Sequence, residues 1–172
     1  MTTETRVHNI LRDIRQPDIQ IPDSQREAVI NVLNTLLADE HVLLLKTHNY
    51  HWNILGPNFA ELHELFGEQY ETLDGLVDEI AERARMLGGK AVGTMREYLE
   101  RTHLSEEPGV YPDAEQMLAN LLTDHETIIR YLRQAIDDCA EKYGDVGTSD
   151  LLTGVLRAHE KMAWFLRAHL QK

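Results

Sequence analysis

Hydrophobic residues recur at the spacing of one helix face along most of this chain, and no segment alternates polar and apolar residues as a strand would. Helix-capping and helix-breaking residues divide the pattern into four long segments, 24–53, 59–87, 113–143 and 149–170. Each segment carries an apolar stripe that other helices must cover. The sequence therefore predicts an all-α protein built from four long helices.

The connection between the second and third helices is much longer than the other two. It spans residues 88–112, and residues 95–100 within it have the pattern of a short helix. Two short turns and one long crossover are the connections of a ferritin-like four-helix bundle. We therefore expect an N-terminal tail, residues 1–23, followed by a single bundle domain, residues 24–172.

The charge balance argues against nucleic acid as a partner. Seventeen Lys and Arg residues stand against 29 Asp and Glu residues, which gives a formal net charge of -12. The negative electrostatic potential of such a protein repels the phosphate backbones of nucleic acids and attracts cations. The tail itself contains three arginines, no lysine and four acidic residues, so it is not a polycation.

The single cysteine, Cys139, rules out an intrachain disulfide and fits a reducing compartment. The start of the sequence lacks the cationic and apolar segments of a signal peptide, and no stretch reaches the roughly 18 apolar residues of a membrane span. We therefore expect a cytoplasmic protein without a membrane segment.

Candidate metal ligands lie in two places on the first two helices. Asp78 and Glu82 are four residues apart, so both carboxylates leave one helix face at a separation that suits one cation. The alternative for this pair is a solvated surface. His51 lies 18 residues after Leu33, which places it on the apolar stripe of the first helix. Its alternative role is that of a hydrogen-bonded core histidine.

His63 precedes Asp78 by 15 residues on one helix, so the two lie roughly 22 Å apart at 1.5 Å per residue. They cannot bind one metal ion within one chain. A two-fold contact that brings the histidine end of one subunit to the carboxylate end of another builds two identical sites. This ligand mixture suits ferrous iron, although zinc, manganese or cobalt can also occupy it.

Two sequence blocks resemble a known family. HWNI, GPNF and LHE occupy 51–54, 56–59 and 62–64, and VDEIAER with LGG occupies 77–83 and 87–89. Both blocks, at this separation, are similar to the signatures of the Dps family of ferritin-like proteins. The resemblance covers the helical layout from about 24 to 170.

The resemblance implies a hollow dodecamer with an iron core and ferroxidase centres between two-fold partners. His51 and His63 of one subunit and Asp78 and Glu82 of its neighbour fall on the ligand positions. The implied activity is oxidation of Fe(II) by hydrogen peroxide, or more slowly by dioxygen, with storage of Fe(III) and protection against oxidative stress.

The chain departs from the family pattern at one position. Where the family commonly has a carboxylate one turn after the second histidine, this sequence has Gly67. His159, on the inward stripe of the fourth helix, is a tentative substitute ligand, with core packing as the alternative. His125 is interpreted as a core histidine. Trp52 is interpreted first as a packing residue and, through the resemblance, as a group near the metal.

The turn between the third and fourth helices carries three acidic residues, Glu141, Asp145 and Asp150. It resembles the segment that lines the three-fold pores in this family, where negative charge draws cations inward. The alternative is that these residues are solvated or cap a helix, for which Asp150 is best placed.

Two other functions stay open from the sequence. DNA compaction is the property for which the family is named, although the acidic composition argues against it. The other alternative is a structural cage with a zinc-occupied, weakly active site, because one expected ligand is missing at Gly67.

Overall fold

The structure is a computed structural model, and it describes residues 17–171. These residues form α1 (Asp23–Asn53), α2 (Phe59–Met86), α3 (Met95–Arg101), α4 (Ala114–Asp137), a π-helical turn (Asp138–Lys142) and α5 (Val146–Leu170). The described part of the chain contains no strand, so the predicted all-α class is confirmed. Most of the expected N-terminal tail, residues 1–16, lies outside the described residues.

The four long helices pack as two antiparallel hairpins, α1 with α2 and α4 with α5. Their inward faces supply the core, whose largest fully buried side chains include Leu33, Phe66, Leu73, Met117 and Ile128. Apolar burial of this kind is the main favourable term in folding. The bundle thus follows from the stripes read in the sequence.

Helix α1 is more apolar than the sequence reading allowed. By length and composition it could cross a bilayer, with an 18-residue window of mean hydropathy 1.4. In the fold, 61% of that window is buried inside the protein. Its apolar residues face the other helices, as in the central helix of a bundle.

The helix starts show which capping residues the fold uses. Asp113 accepts a hydrogen bond from the Gln116 amide and so caps the start of α4. Helix α5 starts at Val146 rather than at 149, because Asp145 accepts from the Thr148 amide and so caps it. Asp23 and Ser24 have side chains suited to capping, but no side chain caps the start of α1.

Two polar side chains of α1 hold the crossover against the bundle. The Asn34 amide donates to the Lys90 carbonyl and accepts from the Val92 amide. Asp39, which is fully buried, accepts from the Thr102 hydroxyl and from the His103 backbone and ring. The long connection is therefore an ordered part of the fold.

The turn after α2 needs glycine because of a close approach to α1. A Cβ atom added at Gly89 would lie 2.7 Å from two carbon atoms of Ile30. We expect Gly89→Ala to lower the free energy of unfolding by about 1–3 kcal/mol, because the branched Ile30 side chain must shift. Thermal and denaturant unfolding measure this change.

Gly154→Ala is the matched control, since a Cβ there meets no atom within 4 Å in the described chain. Alanine favours a helix over glycine, so this variant should be as stable as the original or slightly more stable. Equal stability of both alanine variants would contradict the close approach at Gly89.

Candidate metal centre

His51 and His63 form a reciprocal pair that joins the end of α1 to the start of α2. The His51 Nδ1 atom lies 2.7 Å from the His63 carbonyl oxygen, and His63 Nδ1 lies 2.9 Å from the His51 carbonyl oxygen. The two rings stack with centroids 3.7 Å apart. The structure therefore brings together the two histidines that the sequence singled out.

These hydrogen bonds determine which ring nitrogen is available to a metal. A carbonyl oxygen can only accept, so each Nδ1 carries the proton and donates. In the neutral imidazole, Nε2 is then the unprotonated nitrogen with a free lone pair. Backbone bonds to the other nitrogen are the usual way in which proteins orient ligating histidines.

Aromatic residues enclose the histidine pair on two sides. The Phe59 ring stacks on His63 with centroids 5.2 Å apart, and the Tyr70 ring meets His51 edge-on, also at 5.2 Å. His48, one turn before His51, contacts the Tyr70 ring at a tilted angle, with centroids 4.2 Å apart. The surrounding rings restrict the movement of both imidazoles.

Large apolar side chains beside the histidines face outward in the single chain. Trp52 is 69% exposed and Leu55 80% exposed, and Phe59 is also exposed. Trp52, interpreted from the sequence as a packing residue, is therefore not buried within the single chain. Clustered exposed apolar residues are typical of surfaces that another protein covers.

Position 67 faces the histidine pair. A Cβ added at Gly67 would lie 3.5 Å from His51 Cε1 and 3.6 Å from His51 Nδ1, which is ordinary contact distance. A side chain at this position would therefore lie beside the His51 ring. Glycine leaves that space without a ligand.

Asp78 and Glu82 lie one turn apart on the exposed surface of α2. Within residues 17–171, no hydrogen bond or ion pair involves either carboxylate. No three His, Cys, Asp or Glu side chains in this range converge to hold a metal ion. The structure thus keeps the histidine pair and the carboxylate pair apart within one chain.

His159 has partners in the core rather than at the histidine pair. Its Nε2 lies 2.8 Å from Glu40 Oε1, and its Nδ1 lies 2.8 Å from His125 Nδ1. All three residues are fully buried. Both ring nitrogens of His159 are therefore engaged at the centre of the bundle, and no described contact joins His159 to His51 or His63.

The buried network contains a residue that the sequence reading missed. Glu40 continues the stripe of Leu33, Leu37 and Leu44, and that register is the signal that could have found it. Burial lowers the pKa of His125 well below its usual value, and the neighbouring His159 lowers it further. His125 is thus neutral at physiological pH.

The three candidate pore acids differ in their surroundings. Glu141 and Asp150 are exposed, whereas Asp145 is only 2% exposed and bonds the Arg83 guanidinium at 2.8 Å. Asp145 also accepts from the Thr148 amide and hydroxyl. The helix cap suggested for Asp150 belongs to Asp145.

Comparison with known proteins identifies the relatives of this arrangement. The ferritin-like domain family matches residues 30–172. A low temperature-induced protein of Nostoc sp. is 46% identical over 154 residues, which cover 90% of this chain and 86% of that protein. A DNA protection during starvation protein of Bacillus anthracis is 43% identical, with coverage of 84% and 97%.

Solved structures agree with these sequence matches. DpsC from Streptomyces coelicolor superimposes with a TM-score of 0.87 at 35% identity, covering 91% of each chain. A Dps protein from Vibrio cholerae gives 0.85 at 31% identity, covering 91% of this chain and 97% of its own. It is described as a member of the ferritin-like diiron-carboxylate superfamily.

This chain belongs to the Dps family. Membership supports a role in iron storage and in protection during starvation, and it implies an oligomeric cage.

The Asp145 network generates a stability prediction. Asp145→Ala removes a buried ion pair with Arg83 and the cap of α5, so we expect a loss of about 2–4 kcal/mol in unfolding free energy. Denaturant unfolding measures it. Asp150→Ala, at an exposed neighbour, should change stability by no more than about 0.5 kcal/mol. A similar loss in both variants would show that general acidity of the turn, rather than the network, is what matters.

Proposed function

We propose that this protein is a ferroxidase and iron-storage subunit whose catalytic centres form between two-fold partners in a dodecameric cage. The observation that carries the proposal is the reciprocal His51–His63 pair, whose backbone hydrogen bonds leave both Nε2 atoms available to a metal. The proposed ligands are His51 and His63 from one subunit and Asp78 and Glu82 from its partner.

The separation of the two ligand pairs supports sharing between subunits. Each chain offers two imidazoles at one end of α2 and two unpaired carboxylates about four turns further on. In an isologous contact, the histidine pair of each subunit meets the carboxylate pair of the other. The contact therefore produces two equivalent centres. The exposed Trp52 and Leu55 beside the histidines provide apolar surface for such a contact.

The ligand set also suits the proposed chemistry. Imidazoles bind ferrous iron, and carboxylates stabilise the more highly charged ferric product, so the mixed set favours oxidation. Two ferrous ions supply the two electrons that reduce one hydrogen peroxide to water. Paired transfer avoids the release of hydroxyl radical, and the ferric product passes to the cavity as oxyhydroxide.

The net charge of -12 favours delivery of cations over binding of DNA. The exposed Glu141 and Asp150 are the proposed pore acids. Asp145 contributes indirectly, since it holds the start of α5 in place through Arg83. We therefore favour iron handling over DNA compaction as the protective activity.

Co-assembly of two inactive variants tests whether the centre is shared. One variant carries His51→Ala and His63→Ala, and the other carries Asp78→Ala and Glu82→Ala. Each alone should lack rapid oxidation of Fe(II) by peroxide. When they are co-expressed, half of the dimers are mixed and one centre in each mixed dimer is intact, so about a quarter of the activity should return.

Stopped-flow absorbance of the ferric product measures the recovery. Separately assembled cages, mixed without subunit exchange, are the control and should stay inactive. If co-assembled particles of confirmed mixed composition recover no activity, the centre does not combine residues from two chains.

A single conservative change tests the carboxylate contribution. Glu82→Gln keeps the size of the side chain but removes its charge, and we expect the oxidation rate to fall at least tenfold through weaker iron binding. Glu79→Gln is the matched control, since its exposed side chain points about 100° away from Asp78 and about 60° away from Glu82 around α2. Full activity of Glu82→Gln would contradict a ligand role for Glu82, whereas equally slow oxidation in both proteins, with zinc bound in both, would favour the structural cage with a zinc site.

A further inference from the structure

Three polar side chains form a hydrogen-bonded line through the core of the bundle. Glu40 on α1, His159 on α5 and His125 on α4 each have no exposed surface. Glu40 Oε1 lies 2.8 Å from His159 Nε2, and His159 Nδ1 lies 2.8 Å from His125 Nδ1. These three residues, the core line, therefore join three helices through two buried hydrogen bonds.

The hydrogen bond between the two imidazoles holds only one proton. An ionised carboxylate can only accept, so His159 Nε2 carries a proton and donates it to Glu40. Of the two facing Nδ1 atoms, one must donate and the other must accept, because two N–H groups cannot point at each other across 2.8 Å. The four ring nitrogens thus carry at most three protons. The folded pair therefore holds at most one positive charge.

The surroundings of His125 disfavour a charge on its ring. Its Nε2 atom is buried and has no hydrogen-bond partner within residues 17–171. Burial lowers the pKa of His125 well below its usual value, and the neighbouring His159 lowers it further. Glu40 bonds the other ring nitrogen of His159 and makes no contact with His125. A positive charge on both imidazoles at once would leave one of them without a carboxylate partner.

The other buried carboxylates of the described chain are engaged elsewhere. Asp39 bonds the crossover, Asp124 bonds Lys46 at 2.5 Å, and Asp145 bonds Arg83 at 2.8 Å. Helix α2 buries no acid or base. Two ion pairs join α4 to α5 at the exposed surface, Arg133–Glu160 and Arg167–Glu126. Within residues 17–171, His125 thus bonds no group other than His159.

We propose that the core line makes each subunit acid-sensitive. At neutral pH its two hydrogen bonds hold α4 and α5 against α1, and the bonds break when the second imidazole binds a proton. Two imidazolium rings would place N–H against N–H and leave one buried charge uncompensated. Helices α4 and α5 must then separate far enough to admit water. This property does not depend on the proposed ferroxidase centre.

The direction of the pH dependence follows from proton binding. An unfolded histidine has a pKa of about 6.5, so below that pH the unfolded chain binds a proton at both positions. The folded core line binds one proton fewer, so acid favours the opened or unfolded state. The stabilisation is fully present above about pH 7. It is lost below about pH 6.5, by about a factor of ten in the folding equilibrium constant for each pH unit.

Denaturant unfolding of the assembled, metal-free protein over about pH 5.5 to 7.5 tests this dependence. His125→Gln keeps a hydrogen-bonding side chain but cannot bind a proton. Below about pH 6.5, the unfolding equilibrium constant of the original protein should rise about tenfold more per pH unit than that of His125→Gln. Both proteins contain all the other histidines, including His51 and His63, so the titration of these residues cancels in the comparison.

His169→Gln is the matched control, because it removes an exposed histidine of α5 and leaves the core line intact. Its stability should depend on pH as that of the original protein does. Unfolding of all three proteins is compared at one subunit concentration, since assembly contributes to stability.

Hydrogen exchange on the original protein tests the proposal even if His125→Gln does not assemble. Exchange at the imidazole Cε1 atom reports whether His125 is protonated, and amide exchange reports the opening of α4 and α5. We expect His125 to stay neutral while the helices are closed. Amide protection factors in α4 and α5 should fall about tenfold per pH unit below about pH 6.5.

Two results would overturn the proposal. One is an equal pH dependence of stability in the original protein and in His125→Gln. The other is a His125 that binds a proton near pH 6.5, as an ordinary histidine does, while α4 and α5 keep their amide protection. Neither result bears on iron oxidation, because the core line contains none of the proposed ferroxidase ligands.

Discussion

Two reciprocal hydrogen bonds between imidazoles and backbone carbonyls fix the histidine end of this subunit. The His51 carbonyl lies in the last turn of α1, where it has no partner within the helix, and the His63 ring satisfies it. In return, His51 bonds a carbonyl of α2. One pair of contacts thus closes the turn between two helices and sets the tautomer of both rings, so local folding and metal affinity depend on the same atoms.

Helix α2 separates the two proposed ligand pairs, so under the proposed function a single subunit holds only half of each centre. A helix extends 1.5 Å per residue, so a carboxylate pair four turns from the histidines cannot bend back to them. Binding energy for a metal at such a divided centre is available only to the assembled protein, which links metal binding to association. The exposed Trp52, Leu55 and Phe59 lie where this link requires an apolar contact.

The helices could be predicted from the sequence because a 3.6-residue period repeats over many turns in each of them. Local caps were harder, since Asp145 and Asp150 are both suitable residues and only the Arg83 contact decides between them. The orientation of His51 followed from helical register, but its reciprocal bond with His63 depends on the conformation of the connecting turn. The line of Glu40, His159 and His125 joins residues up to 119 apart, and its pairing depends on how three helices cross.

Burial provides different conditions for histidine and carboxylate side chains at the surface of α2 and in the core. At the surface of α2, water and a partner subunit can balance the charge of a divalent ion, so two carboxylates and two imidazoles can serve a redox cycle there. In the core, the described chain gives Glu40 only imidazole as a partner, and the line of Glu40, His159 and His125 joins three helices through hydrogen bonds between residues with no exposed surface. The same residue types, histidine and glutamate, thus serve as proposed metal ligands at the surface and as a buried polar network in the interior.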